Sequence, residues 1–222
     1  MKKLINITFR LSVFVASLLM IVTSCKKDDD SSSVYYAIQG GKFSGTINGI
    51  STGDVDYVKA VFYYIYDDYY YEYILGADSI STDHFSIDLT EPPSEYMEVI
   101  TVDSGMEISD NTVKGLSVYI TCYKNGVYTG NLGRASSITV FDADTFKKGD
   151  TFCGFMYVDK AVKVSGQTVD NDESGDKVYN FNLKTKAGWN ELINKCTSDI
   201  NNVFTFSVYA NNEPGGLNWY LY

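Results

Sequence analysis

The sequence predicts an all-β protein, an antiparallel β-sandwich of about a dozen short strands, and three observations predict it. Apolar and polar residues alternate with period two over most of the chain beyond residue 34, and helical periodicity is nearly absent. Turn signals separate the alternating runs, among them Asp67-Asp68 and Lys124-Asn125-Gly126. The three prolines, Pro92, Pro93 and Pro214, all fall in expected turns and leave the ladders unbroken.

The elements follow in order. Tyr35 to Ile50 reads as a strand interrupted by glycine. Val58 to Tyr66 and Tyr69 to Leu75 are strands parted only by Asp67-Asp68, and Phe85 to Leu89 alternates cleanly. Leu116 to Tyr123 and Val127 to Leu132 flank the Asn-Gly turn of a hairpin. Ser137 to Phe141, Phe152 to Asp159, Val162 to Gln167 and Val178 to Leu183 continue the pattern. Phe204, Phe206 and Val208 share a parity, and Leu217, Trp219 and Leu221 close the chain. Short helical pieces are expected around Pro93 to Met97 and Ala187 to Lys195. The acidic, irregular stretch 91–112 is the best internal boundary, so residues 34–222 form one continuous body or two packed β units.

The start of the chain is an address rather than a fold. Lys2, Lys3 and Arg10 precede an apolar run from Leu11 to Val22, too short to span a hydrocarbon core that needs about 20 residues. Val22-Thr23-Ser24-Cys25 then resembles a bacterial lipobox, which implies cleavage after residue 24 and acylation (palmitate and its like) of Cys25. A plain secretory signal or a short membrane anchor are the alternatives. Residues 25–33, Cys25-Lys26-Lys27-Asp28-Asp29-Asp30 and three serines, cannot offset their ordering entropy by burial and read as a tether. A lysine and acidic residues just after the lipid-bearing cysteine resemble the export signal of surface lipoproteins in the Bacteroidota, which implies the outer membrane and exposure at the cell surface. Multiple acyl chains give stable anchoring, at about 0.8 kcal/mol per buried methylene.

Composition excludes further classes. The chain has 222 residues, 18 basic against 28 acidic, and a formal charge of −10. That surface repels phosphate and argues against nucleic acid as partner. A single histidine, His84, removes most acid–base and metal constellations; no Gly-x-Ser-x-Gly accompanies it. Asp142 and Asp144 stand two apart, as a carboxylate pair for glycoside hydrolysis can, but that chemistry also needs a cleft, and no catalytic residue is assigned. With Cys25 lipidated, Cys122, Cys153 and Cys196 permit one disulfide in any of three pairings. Cys122 shares the parity of Leu116, Val118 and Ile120 and reads as a small core residue.

Two groups of segments carry a resemblance. Gly45-Thr46-Ile47-Asn48-Gly49, Val58-Lys59-Ala60 and His84-Phe85-Ser86-Ile87-Asp88-Leu89 resemble the opening half of transthyretin-like or carboxypeptidase-regulatory-like sandwiches. Phe155 to Lys160, Phe181 to Asn190 and Pro214 to Tyr220 are similar to uncharacterised Bacteroidota lipoproteins. Together they imply a surface β-sandwich and transfer no activity.

Three sites are expected. With Asp67-Asp68 as a two-residue turn, Tyr66 faces Tyr69, Tyr64 faces Tyr71 and Phe62 faces Tyr73. Tyr64, Tyr66, Tyr69, Tyr70 and Tyr71 then form a ligand-binding ribbon for a glycan or a protein, while Phe62, Tyr73 and Leu75 serve the core. Tyrosine is also simply a good strand residue. Asp170, Asp172, Ser174 and Asp176 place oxygens at alternate positions around Gly175, as a calcium loop does, but Phe181 stands where an EF-hand needs its bidentate acid. Asp78-Ser79-Ile80 fits a short O-glycosylation pattern at Ser79. The function expected is a non-enzymatic, lipid-anchored binding module without an obligatory cofactor. The alternative is an assembly subunit of a surface fibre or outer-membrane complex, in which Leu217 to Tyr222 pairs with another chain's sheet edge.

Overall fold

Trp189, Leu192, Ile193 and Cys196 are spaced like one face of a helix, yet they lie on a strand buried on both sides. In the computed structural model Trp189 and Ile193 enter one core while Leu192 and Cys196 enter a second. A central strand needs no polar face, so its alternation is invisible in sequence. The helical expectation for Ala187 to Lys195 is therefore corrected to a strand. The structure describes residues 38–39, 41–49, 53–67, 69–80, 82–141, 146–172, 175–212 and 215–222. Cys25, the tether, Asp68, Asp142, Asp144, Ser174 and Pro214 lie outside them, as does the side chain of Asp172.

Among the described residues fifteen strands follow in order: β1 (Ile38–Gln39), β2 (Lys42–Asn48), β3 (Tyr57–Tyr66), β4 (Tyr69–Ser79), β5 (His84–Asp88), β6 (Glu98–Val99), β7 (Met106–Ile108), β8 (Lys114–Lys124), β9 (Val127–Ala135), β10 (Thr151–Val158), β11 (Lys163–Asp172), β12 (Gly175–Lys184), β13 (Gly188–Ile200), β14 (Val203–Ala210) and β15 (Asn218–Leu221). The described residues hold no α-helix. A 3-10 turn at Ser94–Tyr96 meets the expectation of a helical piece near Pro93. A second, Ile138–Phe141, replaces the expected strand from Ser137; there Ser137 turns the chain, its Oγ accepting from Thr139 N–H.

The strands join into one mixed network, with the order β1-β2-β15-β9-β8-β10-β13-β14-β12-β11-β7. The purely antiparallel expectation is corrected at two places, since β12 runs parallel to β14 and β15 parallel to β2. β10 and β13 divide the interior. Cys153, Phe155 and Tyr157 point into a core with Phe43, Phe85 and Trp219; Phe152, Met156 and Val158 point into another with Tyr179, Phe181 and Phe206. Each fully buried ring of this size contributes about 1.5–3 kcal/mol. The Asn125-Gly126 turn is present, both residues at positive φ (51° and 77°), which matches strand twist in a two-residue hairpin.

Candidate functional site

The strand pairing that the aromatic run predicts is the pairing observed. Tyr66 pairs with Tyr69, Tyr64 with Tyr71 and Phe62 with Tyr73, and Asp67 turns at φ 52°. A bulge then intervenes, because Ala60 pairs with Gly76 but Val61 with Ile74, which leaves Leu75 extra. The Leu75 carbonyl accepts from both Thr90 N–H and Thr90 Oγ1 at 2.8 Å. β3 pairs with β8 only from Tyr57 to Val61, so residues 62–66 and 69–73 leave the sheet as a two-stranded ribbon.

The ribbon's two faces differ. On one, Phe62 and Tyr73 stack at 4.9 Å and Tyr64 and Tyr71 at 5.5 Å. Tyr96, delivered by the first 3-10 turn, lies 4.7 Å from Tyr64, 5.4 Å from Tyr73 and 5.6 Å from Phe62. Phe62 and Leu75 are buried as expected, and Tyr64 is half-buried under Tyr96. Among the five tyrosines expected to meet a ligand, Tyr66 (54 % exposed), Tyr69 (68 %) and Tyr70 (78 %) stand out most, Tyr71 less so.

The opposite face continues across four strands, β4-β3-β8-β9. Register places Glu72 beside Tyr63, Ile74 beside Val61 and Tyr119, and Tyr57 beside Tyr123 and then Tyr128. Glu72 is the hub. Its Oε1 accepts from Lys59 Nζ at 3.1 Å and its Oε2 from the Tyr123 hydroxyl at 3.0 Å. Lys59 Nζ also lies 4.1 Å above the Tyr123 ring. Burial opposes the charge on Lys59, but the hydrogen bonds that it donates to Glu72 and Tyr123, with their charges, outweigh it and its pKa is raised. Burial first, then the Glu72 charge, pushes the Tyr63 phenol up to about 12. Tyr119, Tyr123 and Tyr128 were not singled out in sequence. Each is a lone tyrosine in an alternating strand, and only the pairing of β8 with β3, and of β9 with β8, brings them onto the face of Tyr63.

This face ends at a strand junction. β8 pairs with β10 up to Val118 and with β9 from Ile120, while β9 passes to β10 beyond Leu132. Where the three strands part lies a cavity of about 50 Å³, bordered by Tyr119, Asn131, Gly133, Gly154 and Tyr222. Tyr222 stacks on Phe141 at 4.2 Å. A Cβ on Gly133 would fall 2.2 Å from the Phe141 ring and 2.7 Å from the Tyr222 ring, so only glycine fits there.

The other expected residues fall apart from this site. Asp170 pairs with Lys177 and Asp176 with Asn171, so the β11–β12 register sends the Asp170 and Asp176 side chains to opposite faces of the hairpin. No group of three or more His, Cys, Asp or Glu gathers to hold a metal among the described residues. Ser79 is exposed at the end of β4, beside Asp78, whose carboxylate accepts from Ser86 N–H at 2.7 Å. His84 is exposed at the start of β5. Cys122, Cys153 and Cys196 are all buried, and no disulfide joins any two of them. β15 lies within the chain's own sheet between β2 and β9, with Trp219 buried. No helix among the described residues is long and apolar enough to cross a membrane. Comparison with protein-family models, curated proteins and solved structures finds no match.

Proposed function

We propose that this chain is a non-enzymatic lipoprotein, anchored to the outer membrane through Cys25 and carried at the cell surface, whose β-sandwich body binds a glycan or a protein through its tyrosine ribbon. Two cores on either side of β10 and β13 support a layered, sandwich-like packing. The lipobox-like Val22 to Cys25 and the acidic tether support the anchor.

One observation carries the binding role: Tyr66, Tyr69 and Tyr70 expose more than half of their surface at the tip of a ribbon whose base, through Phe62, Tyr64 and Tyr73, packs against the first core. Exposed aromatic clusters of this kind mark recognition surfaces. Tyrosine supplies contact area with few rotatable bonds, so ordering it on a ligand costs little entropy.

The test is a printed array of glycans and proteins, probed with the full chain in detergent. Ala replacements at Tyr66, Tyr69 and Tyr70 should weaken binding while the melting curve barely moves. An array without any bound spot, or variants that unfold, would sink the reading.

A further inference from the structure

Resting on that reading, we infer that the ligand is an extended peptide segment of another protein, and that it binds by adding a strand to the outer edge of β4 at residues 69–74, beside the tip tyrosines. A two-residue turn makes the pair next to it, Tyr66 and Tyr69, exchange both backbone hydrogen bonds. Bonded pairs then alternate, so Tyr64 with Tyr71 and Phe62 with Tyr73 also bond inwards. Tyr70, Glu72 and Ile74 therefore turn their N–H and C=O groups away from β3. Among the described residues β4 pairs with β3 alone, and no backbone group meets these three on the outer side.

The free length has sharp limits. From the bulge at Leu75 onwards the outer edge is covered: the Leu75 carbonyl accepts from Thr90 N–H, and the Asp78 carboxylate from Ser86 N–H. Towards the turn the edge is open, and Tyr69, Tyr70, Tyr71 and Ile74 are all exposed. The usual guards against strand pairing are missing there, since residues 69–74 hold no proline and no lysine and the bulge lies beyond them. The corresponding edge of β3 is shorter, because its pairing with β8 ends at Val61 and leaves only Tyr63 and Ile65.

These groups select a peptide. Donors and acceptors that recur at every second residue, Tyr70, Glu72 and Ile74, match those of another strand, whereas sugar hydroxyls have no such repeat. Side chains of the added strand alternate between the face of Tyr70 and Ile74 and the face of Tyr69 and Tyr71, and aromatic or β-branched residues suit both. A chain of formal charge −10 disfavours an acidic strand. A second copy of this chain fits worse, because the antiparallel register that uses all three outward residues sets Glu72 opposite Glu72.

The experiment is selection of random decapeptides on the full chain in detergent, followed by fluorescence anisotropy of the selected peptide. A scan of single backbone N-methyl groups along that peptide should alternate, with binding about tenfold weaker at every second residue and unchanged between them. Tyr70→Pro removes an outward N–H while sparing the bonds to β3, and should abolish binding; Tyr70→Ala should only weaken it. Circular dichroism should show both variants folded, and the methyl scan on the unaltered chain decides if either is not. A scan without alternation would overturn strand addition and leave a side-chain contact at the ribbon. Glycan spots bound on the array, with no peptide selected, would overturn it while leaving a binding module in place. An array without any bound spot, and no peptide selected, would remove the module and this inference with it. A dimer of the full chain that Tyr70→Pro makes monomeric, with no peptide selected, would overturn it in favour of a second copy.

Discussion

Arg134 Nη1 donates to Glu191 Oε1 at 2.8 Å in the interior, and both side chains are 4 % exposed. Arg134 comes from β9 and Glu191 from β13, two strands that flank β10: Arg134 pairs with Cys153 and Glu191 with Phe155. The pair thus clamps across β10 on the side of the first core. Removing one partner leaves a buried charge without its counter-ion at 2.8 Å. Arg134→Ala or Glu191→Ala should each cost about 3–5 kcal/mol, whereas Arg134→Met with Glu191→Leu should cost far less. Urea unfolding measures both. Single variants near wild-type stability would show that water reaches the pair.

The sequence made the ribbon legible and hid the face beneath it. The pairing of Tyr66 with Tyr69 follows from two turn residues between alternating runs, which is local information. The neighbourhood of Glu72 is not local: Tyr123 is 51 residues away and reaches it only because β8 pairs with β3. The same limit explains β13, whose apolar residues serve two cores and so imitate a helix. It explains β15 as well, since nothing in Leu217 to Tyr222 says that its partner on one side is a parallel strand 170 or so residues earlier. Arg134 and Glu191 carry no local signal of burial, because their mutual neutralisation is a tertiary fact.

Alkaline pH should destabilise the fold before it ionises the native interior. Burial pushes the Cys122 thiol from 9.0 up to about 12 and the Cys196 thiol up to about 11. Below pH 9 both states keep these protons, and the stabilisation is complete. Above it the unfolded chain releases protons that the native chain retains, so stability falls as pH rises towards 11–12. Each fully buried thiol can contribute at most about 1.4 kcal/mol per pH unit. Urea midpoints at a series of pH values above 9 should show the decline, and Cys122→Ala should flatten it. An unchanged slope in that variant would mean the thiol already ionises in the native state.

Calcium should leave the melting curve where it is. A cation that prefers the native state must raise Tm. Binding it at the Asp170 to Asp176 turn needs several oxygens to converge, and the register holds Asp170 and Asp176 on opposite faces of the β11–β12 hairpin. Scanning calorimetry in millimolar calcium and in chelator checks this. A Tm several degrees higher with calcium would mean that the turn reorganises around the ion.

Deleting Leu217–Tyr222 should unfold the chain rather than release an assembly strand. β15 supplies Trp219, whose ring lies 5.2 Å from Phe85 and 5.5 Å from Phe155, and whose Nε1 donates to Ser44 O at 3.2 Å. The indole fills the space a side chain at Gly45 would need, since a Cβ there would sit 2.2 Å from the ring. Removing a buried tryptophan alone costs about 3–5 kcal/mol, a large part of a domain's net stability of about 5–15 kcal/mol. The truncated chain should therefore lose its near-ultraviolet circular dichroism and cooperative melting. Gly45→Ala offers a milder probe of the same contact and should cost about 1–3 kcal/mol by overpacking. A truncated chain that stays folded, beside a full chain that polymerises, would instead make β15 an exchangeable strand and favour the assembly role over the binding one.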